Sequence, residues 1–174
     1  IAMQTNEIVV VEPDGAERWR RTIPVTSTSS ICDFDDQGRL YANSFDGIRA
    51  FAPDGSDLWL VPTTASSHRH GAGPTVGPDG NVYFLDWSID GLGFGSISPD
   101  GNLRWNIDGF RNDDSDRSFI EVVFSNGNAL ISSPGLPDNC GGNCLGSGLM
   151  AVSFDGDEQW TLQTTTPFQP TVRP

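Results

Sequence analysis

Three stretches of this sequence carry residue types that bind or react. His68-Arg69-His70 sets two imidazoles around one residue, a spacing that can chelate zinc or copper if further ligands join them. Asn112-Asp113-Asp114-Ser115-Asp116 gathers oxygen donors, and Asp113, Asp114 and Asp116 are the candidate calcium ligands. Calcium takes six to eight oxygens, and the stretch lacks the Gly and distal Glu of a helix-loop-helix calcium site. Arg111 and Arg117 flank it and can pair with the same carboxylates. Cys140 and Cys144 enclose Gly141-Gly142-Asn143, a spacing that suits a small disulfide loop better than half of a zinc site, since no second Cys pair exists. A disulfide implies an oxidising compartment: extracellular, periplasmic or cell surface. The third cysteine, Cys32, falls in a strand pattern and is expected as a buried free thiol. Trp87, next to Asp86, is a candidate anchor for a partner or a sugar ring, or a cap on a strand edge. Glu121 is a further carboxylate, placed on an expected innermost strand. No Ser/His/Asp nucleophile pattern and no phosphate-cradling Gly loop stands out.

The elements that must position these residues are set by a repeat. Pro13-Asp14-Gly15, Pro53-Asp54-Gly55, Pro99-Asp100-Gly101 and Phe154-Asp155-Gly156 each precede a tryptophan by four residues: Trp19, Trp59, Trp105 and Trp160. Out of phase with them lie Asp36-Gln37-Gly38, Asp79-Gly80 and Asn126-Gly127, each followed by a short apolar run. Asp-Gly and Asn-Gly between apolar runs mark hairpins, because glycine supplies the positive φ of tight turns. One period therefore holds four short antiparallel strands, A to D, which matches a β-propeller blade. A large aromatic at one place per period is expected to pack blade against blade, a structural role for all four tryptophans.

The expected fold is all-β, a propeller of four-stranded antiparallel blades over residues 1–174, with about four blades present. The blades are placed at about 1–21 (strands B to D only), 28–61, 73–107 and 118–162, with 170–174 starting or closing a blade. Both termini fall inside the repeat, which favours a segment of a larger propeller over a closed four-bladed ring. The A–B and C–D turns are tight and share one end of the blades. The expected long connections share the other end: D–A loops at 62–73 and 108–117, and B–C loops at 86–92 and 134–146. A rigid scaffold with one decorated end is where binding is expected.

Composition narrows the partners. The formal net charge is −13 and there is no lysine. Such a surface repels phosphate backbones, so nucleic acid is not an expected partner. No apolar run approaches a transmembrane span.

The repeat resembles the pyrroloquinoline-quinone-like (PQQ-like) propeller family, in which a strand of small and apolar residues leads through an Asp-Gly turn to a tryptophan. Ile48-Arg49-Ala50-Phe51-Ala52-Pro53-Asp54-Gly55-Ser56-Asp57-Leu58-Trp59 shows it, and so does Leu149-Met150-Ala151-Val152-Ser153-Phe154-Asp155-Gly156-Asp157-Glu158-Gln159-Trp160. The resemblance implies either a quinoprotein dehydrogenase, which binds PQQ and calcium in an eight-bladed ring, or a non-enzymatic surface or assembly protein. The chain lacks the adjacent cysteines and the Thr-Gly turn of the dehydrogenases, so the non-dehydrogenase branch, without PQQ, is the expectation. That points to a secreted or cell-surface scaffold, non-catalytic, that binds a protein partner through its loop end by residues such as His68, Arg69, His70, Trp87, Arg111 and Arg117. Part of a PQQ/calcium dehydrogenase and a structural segment of a larger extracellular assembly are the alternatives.

Overall fold

The computed structural model describes residues 2–4, 7–23, 32–44, 46–63, 73–88, 91–110, 122–133 and 147–164. Every described element is a strand. The first sheet holds β1 (Ala2–Gln4), β2 (Glu7–Val11) and β3 (Glu17–Thr22). The second holds β4 (Cys32–Phe34), β5 (Leu40–Ser44), β6 (Gly47–Phe51) and β7 (Asp57–Val61). The third holds β8 (Thr75–Val76), β9 (Val82–Ser88), β10 (Gly91–Ile97) and β11 (Leu103–Phe110). The fourth holds β12 (Val122–Ser125), β13 (Asn128–Ser133), β14 (Ser147–Ser153) and β15 (Glu158–Thr164). Each sheet is an antiparallel meander in chain order.

The turns follow from their glycines. At 52–55 the Gly55 N–H donates to the Ala52 carbonyl at 2.8 Å, and the Ala52 N–H donates to the Ser56 carbonyl at 2.8 Å. Such a turn needs its last residue left-handed, and Gly55 has φ +82°. The extra residue shifts the register between Ala50 and Phe51, and the same shift recurs at Val10/Val11, Ser96/Ile97 and Ala151/Val152. The aspartate adds a bond of its own: Asp54 Oδ1 accepts from the Ser56 N–H at 2.9 Å. Asn126-Gly127 forms the two-residue version, with φ of 50° and 79°.

Strand period then decides the packing. Successive side chains point to opposite faces, and the inner strands face two different neighbours. In β5, Leu40 and Ala42 join Ile8, Val10, Trp19 and Phe51 between the first two sheets. Tyr41, between them, joins Ile48, Ala50, Val82, Phe84 and Ile97 between the second and third. Tyr83, Leu85 and Phe94 meet Ala129, Ile131, Met150 and Val152 between the third and fourth. The core is thus three inter-sheet cores, which is why these strands read as continuous apolar runs. Burying each large side chain contributes about 1.5–3 kcal/mol.

The tryptophans join one sheet to the next. The indole N–H of Trp19 donates to the Pro53 carbonyl at 3.1 Å, that of Trp59 to Pro99 at 3.0 Å and that of Trp105 to Phe154 at 3.0 Å. Each ring lies against the glycine of the turn it reaches: a Cβ on Gly55, Gly101 or Gly156 would come within 2.7, 2.7 or 2.6 Å of the ring. The C–D turns of the second, third and fourth sheets therefore each seat the tryptophan of the preceding sheet. The fourth sheet's Trp160 is 45% exposed, unlike its three equivalents.

Candidate functional site

The turn end of the sheets is consumed by the structure's own contacts. Besides the indoles, Arg21 Nε donates to the Gly55 carbonyl at 2.6 Å, and Arg104 Nη1 donates to the Phe154 carbonyl at 2.8 Å. Asp35, in the second sheet's A–B turn, has only 4% of its side chain exposed. Its Oδ2 accepts from Tyr41 Oη at 2.8 Å and from Arg39 Nε at 2.6 Å, and its Oδ1 accepts from the Arg39 N–H at 2.9 Å. Burial opposes its charge, but the bonds from Tyr41 and Arg39 outweigh burial and hold the carboxyl below its ordinary range. Burial, then the bond to Asp35, pushes the Tyr41 phenol upward. The third sheet repeats the pair, with Tyr83 Oη donating to Asp79 Oδ2 at 2.9 Å. These groups tie turns together.

The innermost edge is also tied. Asp33 Oδ2 on β4 accepts from the Val76 N–H on β8 at 2.8 Å, joining the first strands of two neighbouring sheets.

The opposite end differs. Ser44 ends β5, and its Oγ lies 2.7 Å from Asp46 Oδ1 and 2.8 Å from the Gly47 carbonyl. Arg49 closes on Asp46 through Nη2 at 2.6 Å and Nε at 3.3 Å. Burial works against the Asp46 charge, but the Arg49 and Ser44 bonds prevail and lower its pKa. Gly47 has φ +141°, and a Cβ there would overlap the Val61 carbonyl, so no other residue fits. Among the described residues, two buried side-chain atoms have no hydrogen-bond partner: Asn43 Oδ1 and Thr63 Oγ1. Both belong to this end of the second sheet. A buried polar atom left without a partner costs about 1–3 kcal/mol, and among the described residues nothing at this end meets that cost. The sequence analysis missed this cluster. Its signal was Asp46-Gly47, one more Asp-Gly between apolar runs.

Most of the residues singled out from sequence lie outside the described residues: His68, Arg69, His70, Arg111, Asp113, Asp114, Asp116, Arg117, Glu121, Cys140 and Cys144. The expected disulfide and the candidate calcium ligands therefore fall outside the described residues. Among the described residues there is no group of three or more metal-binding side chains, and no helix long and apolar enough to cross a membrane. Cys32 is a free cysteine on β4 but only partly buried, and that burial raises its thiol pKa. The expected B–C loop at 86–92 is shorter than its bounds: Trp87 lies in β9 and pairs with Leu92, and Ser88 pairs with Gly91. Likewise β11 runs to Phe110, into the expected D–A loop. The B–C pairing of the second and third sheets thus reaches Ser44–Gly47 and Ser88–Gly91, and the stretches 24–31, 64–72, 111–121 and 134–146 lie outside the described residues.

No known family model and no curated protein matches the chain. Among solved structures it is similar to a catalytically inactive variant of virginiamycin B lyase from Staphylococcus aureus with quinupristin, at 13% identity and a TM-score of 0.50. A streptogramin B lyase structure follows at 13% identity and a TM-score of 0.48. Each similarity covers 94% of this chain, which spans 64% and 63% of those chains. At this identity the likeness to the first speaks for the fold alone, and with the four meanders it establishes the chain as all-β propeller blades.

Proposed function

We propose that this chain is a non-catalytic propeller scaffold of the PQQ-like repeat kind, secreted or displayed at a cell surface, that binds a protein partner through its long-loop end. One observation carries the reading: the turn end is taken up by tryptophan, arginine and aspartate ties, while the unpartnered buried atoms, on Asn43 and Thr63, belong to the loop end. Rigid blades that present variable loops are a common arrangement for recognition. The spacing of Cys140 and Cys144 supports an oxidising compartment.

The test compares the parent chain with a variant whose 64–72 and 111–121 segments are replaced by Gly-Ser linkers. Capture of a partner from the native extracellular fraction should be lost in the variant, with the far-UV spectrum unchanged. Equal capture by both would refute the loop end as the binding surface. Consumption of quinupristin, the compound in the similar lyase structure, would refute the non-catalytic reading. Calcium-dependent uptake of PQQ would place the chain with the dehydrogenases instead.

A further inference from the structure

Asn126-Gly127 is the one Asn-Gly pair in the sequence, and its turn is built differently from the others. In six turns, ending at Gly15, Gly38, Gly55, Gly80, Gly101 and Gly156, the glycine is the last of four residues. Its N–H closes the turn on the carbonyl three residues back, at 2.8 to 3.1 Å. Between β12 and β13 the ladder ends on Ser125 paired with Asn128, so only Asn126 and Gly127 form the turn. A two-residue hairpin closes through the residue after its second central position, here Asn128, and the Gly127 N–H takes no part in that closure. Both turn residues are exposed, and a Cβ on Gly127 would meet nothing within 4 Å. Their φ values of 50° and 79° are both positive, the pattern of a type I′ turn.

An asparagine side chain and the next residue's backbone nitrogen are the two ends of a cyclic imide. Closing that ring needs the asparagine ψ near about −120°, the value at the first central residue of a type II′ turn. Types I′ and II′ differ by a flip of the central peptide plane, and the first φ is positive in both. Among the described residues, the bond this flip breaks is an exposed one, from Asn128 Nδ2 to the Asn126 carbonyl at 3.4 Å. In the six closed turns the same flip would break the glycine's own hydrogen bond. We propose that Asn126-Gly127 is a modification site at which the chain deamidates itself. Hydroxide takes the Gly127 amide proton, and the nitrogen attacks Asn126 Cγ. A C–N bond forms, the Cγ–Nδ2 bond breaks, and the amide nitrogen leaves as ammonia with a proton from water, which restores the hydroxide. Water then opens the imide at either carbonyl, giving aspartate or isoaspartate. Either product adds a negative charge to a chain already at −13. Isoaspartate also adds a methylene to the main chain, so the turn that sets the Ser125–Asn128 register no longer fits and β12 loosens. The inference goes beyond the proposed function, since it involves neither the loop end nor a partner.

The test is peptide mapping by tandem mass spectrometry after the full chain is incubated at neutral and mildly alkaline pH, with Asp54→Asn as the comparison. That substitution puts the same pair into a closed turn, where the Ala52 carbonyl holds the Gly55 N–H at 2.8 Å and Trp19 lies against the glycine. In the folded protein, position 126 should convert to aspartate and isoaspartate at a rate that rises with hydroxide. Position 54 of the variant should convert about tenfold more slowly, roughly the factor set by one hydrogen bond that must break first. In urea, where neither turn is formed, the two rates should converge. A folded parent that keeps Asn126 intact while the urea-unfolded chain loses it would overturn the proposal. So would equal rates at the two positions of the folded variant, or a difference between them that persists in urea.

Discussion

The sharpest prediction compares two glycines of the third sheet. Gly80 and Gly101 both close tight turns through an N–H to a carbonyl three residues back, each at 2.9 Å. Their φ values match, at +78° and +85°. They differ in one respect: a Cβ on Gly80 meets nothing within 4 Å, whereas one on Gly101 lands 2.7 Å from Trp59 Cγ. Alanine at either site incurs the left-handed penalty of about 1–2 kcal/mol. Only Gly101→Ala adds the cost of forcing a methyl into a packed seat, about 1–3 kcal/mol more. For a chain of this length each kcal/mol moves the midpoint by about 2–4 °C. Urea and thermal unfolding followed by far-UV circular dichroism should rank Gly101→Ala clearly below Gly80→Ala. In a Trp59→Ala background the excess should vanish, leaving a coupling of about 1–3 kcal/mol between the two positions. Equal costs for the two glycines, or no coupling to Trp59, would refute the argument that the seat has no room for a side chain.

Asp35→Asn should destabilise the chain by about 1–3 kcal/mol at neutral pH, because it removes a charged acceptor from Tyr41 and Arg39. Its pKa is depressed in the folded state, so its contribution is full above the unfolded value of about 3.9 and is lost as pH falls through the lower folded value. Parent and variant should converge in urea titrations at the acid end, and a constant gap down to that end would contradict the sign. Arg20→Ala breaks ion pairs to Glu7 and Glu17 at 2.7 Å each, but all three side chains are a third or more exposed and screened by solvent, so the urea midpoint should scarcely move. Alkylation of the denatured, unreduced chain should label one cysteine, Cys32, and reduction should raise the count to all three, read by intact mass. Three labels without reduction would remove the Cys140–Cys144 disulfide.

Little of the expected site could be read from sequence, and for a definite reason. Asp86 to Leu92 reads as a loop because Asp and Gly punctuate it, yet the ladder from Val82 to Ser88 against Gly91 to Ile97 runs straight through. Cross-strand pairing outweighed the local turn preference there. Ser44, Asp46 and Arg49 are ordinary polar residues until the hairpin at Gly47 brings them together.

The sequence by itself determined the local geometry. The repeated Asp-Gly and Asn-Gly turns demand a left-handed residue, and those ending at Gly15, Gly55, Gly80, Gly101, Gly127 and Gly156 form at the expected places. The period of two decided which side chains share a face, and the fixed offset from glycine to tryptophan put every indole on the same row. Only the tertiary structure decided what each face meets. Trp19 finds its acceptor 34 residues onward, on a turn that no local rule connects to it. The most telling case is Trp160, whose turn and offset repeat those of Trp59 and Trp105 while its ring stays exposed. Backbone conformation is a property of a residue and its chain neighbours, but burial is a property of whatever packs against it, and among the described residues no sheet closes over the fourth tryptophan.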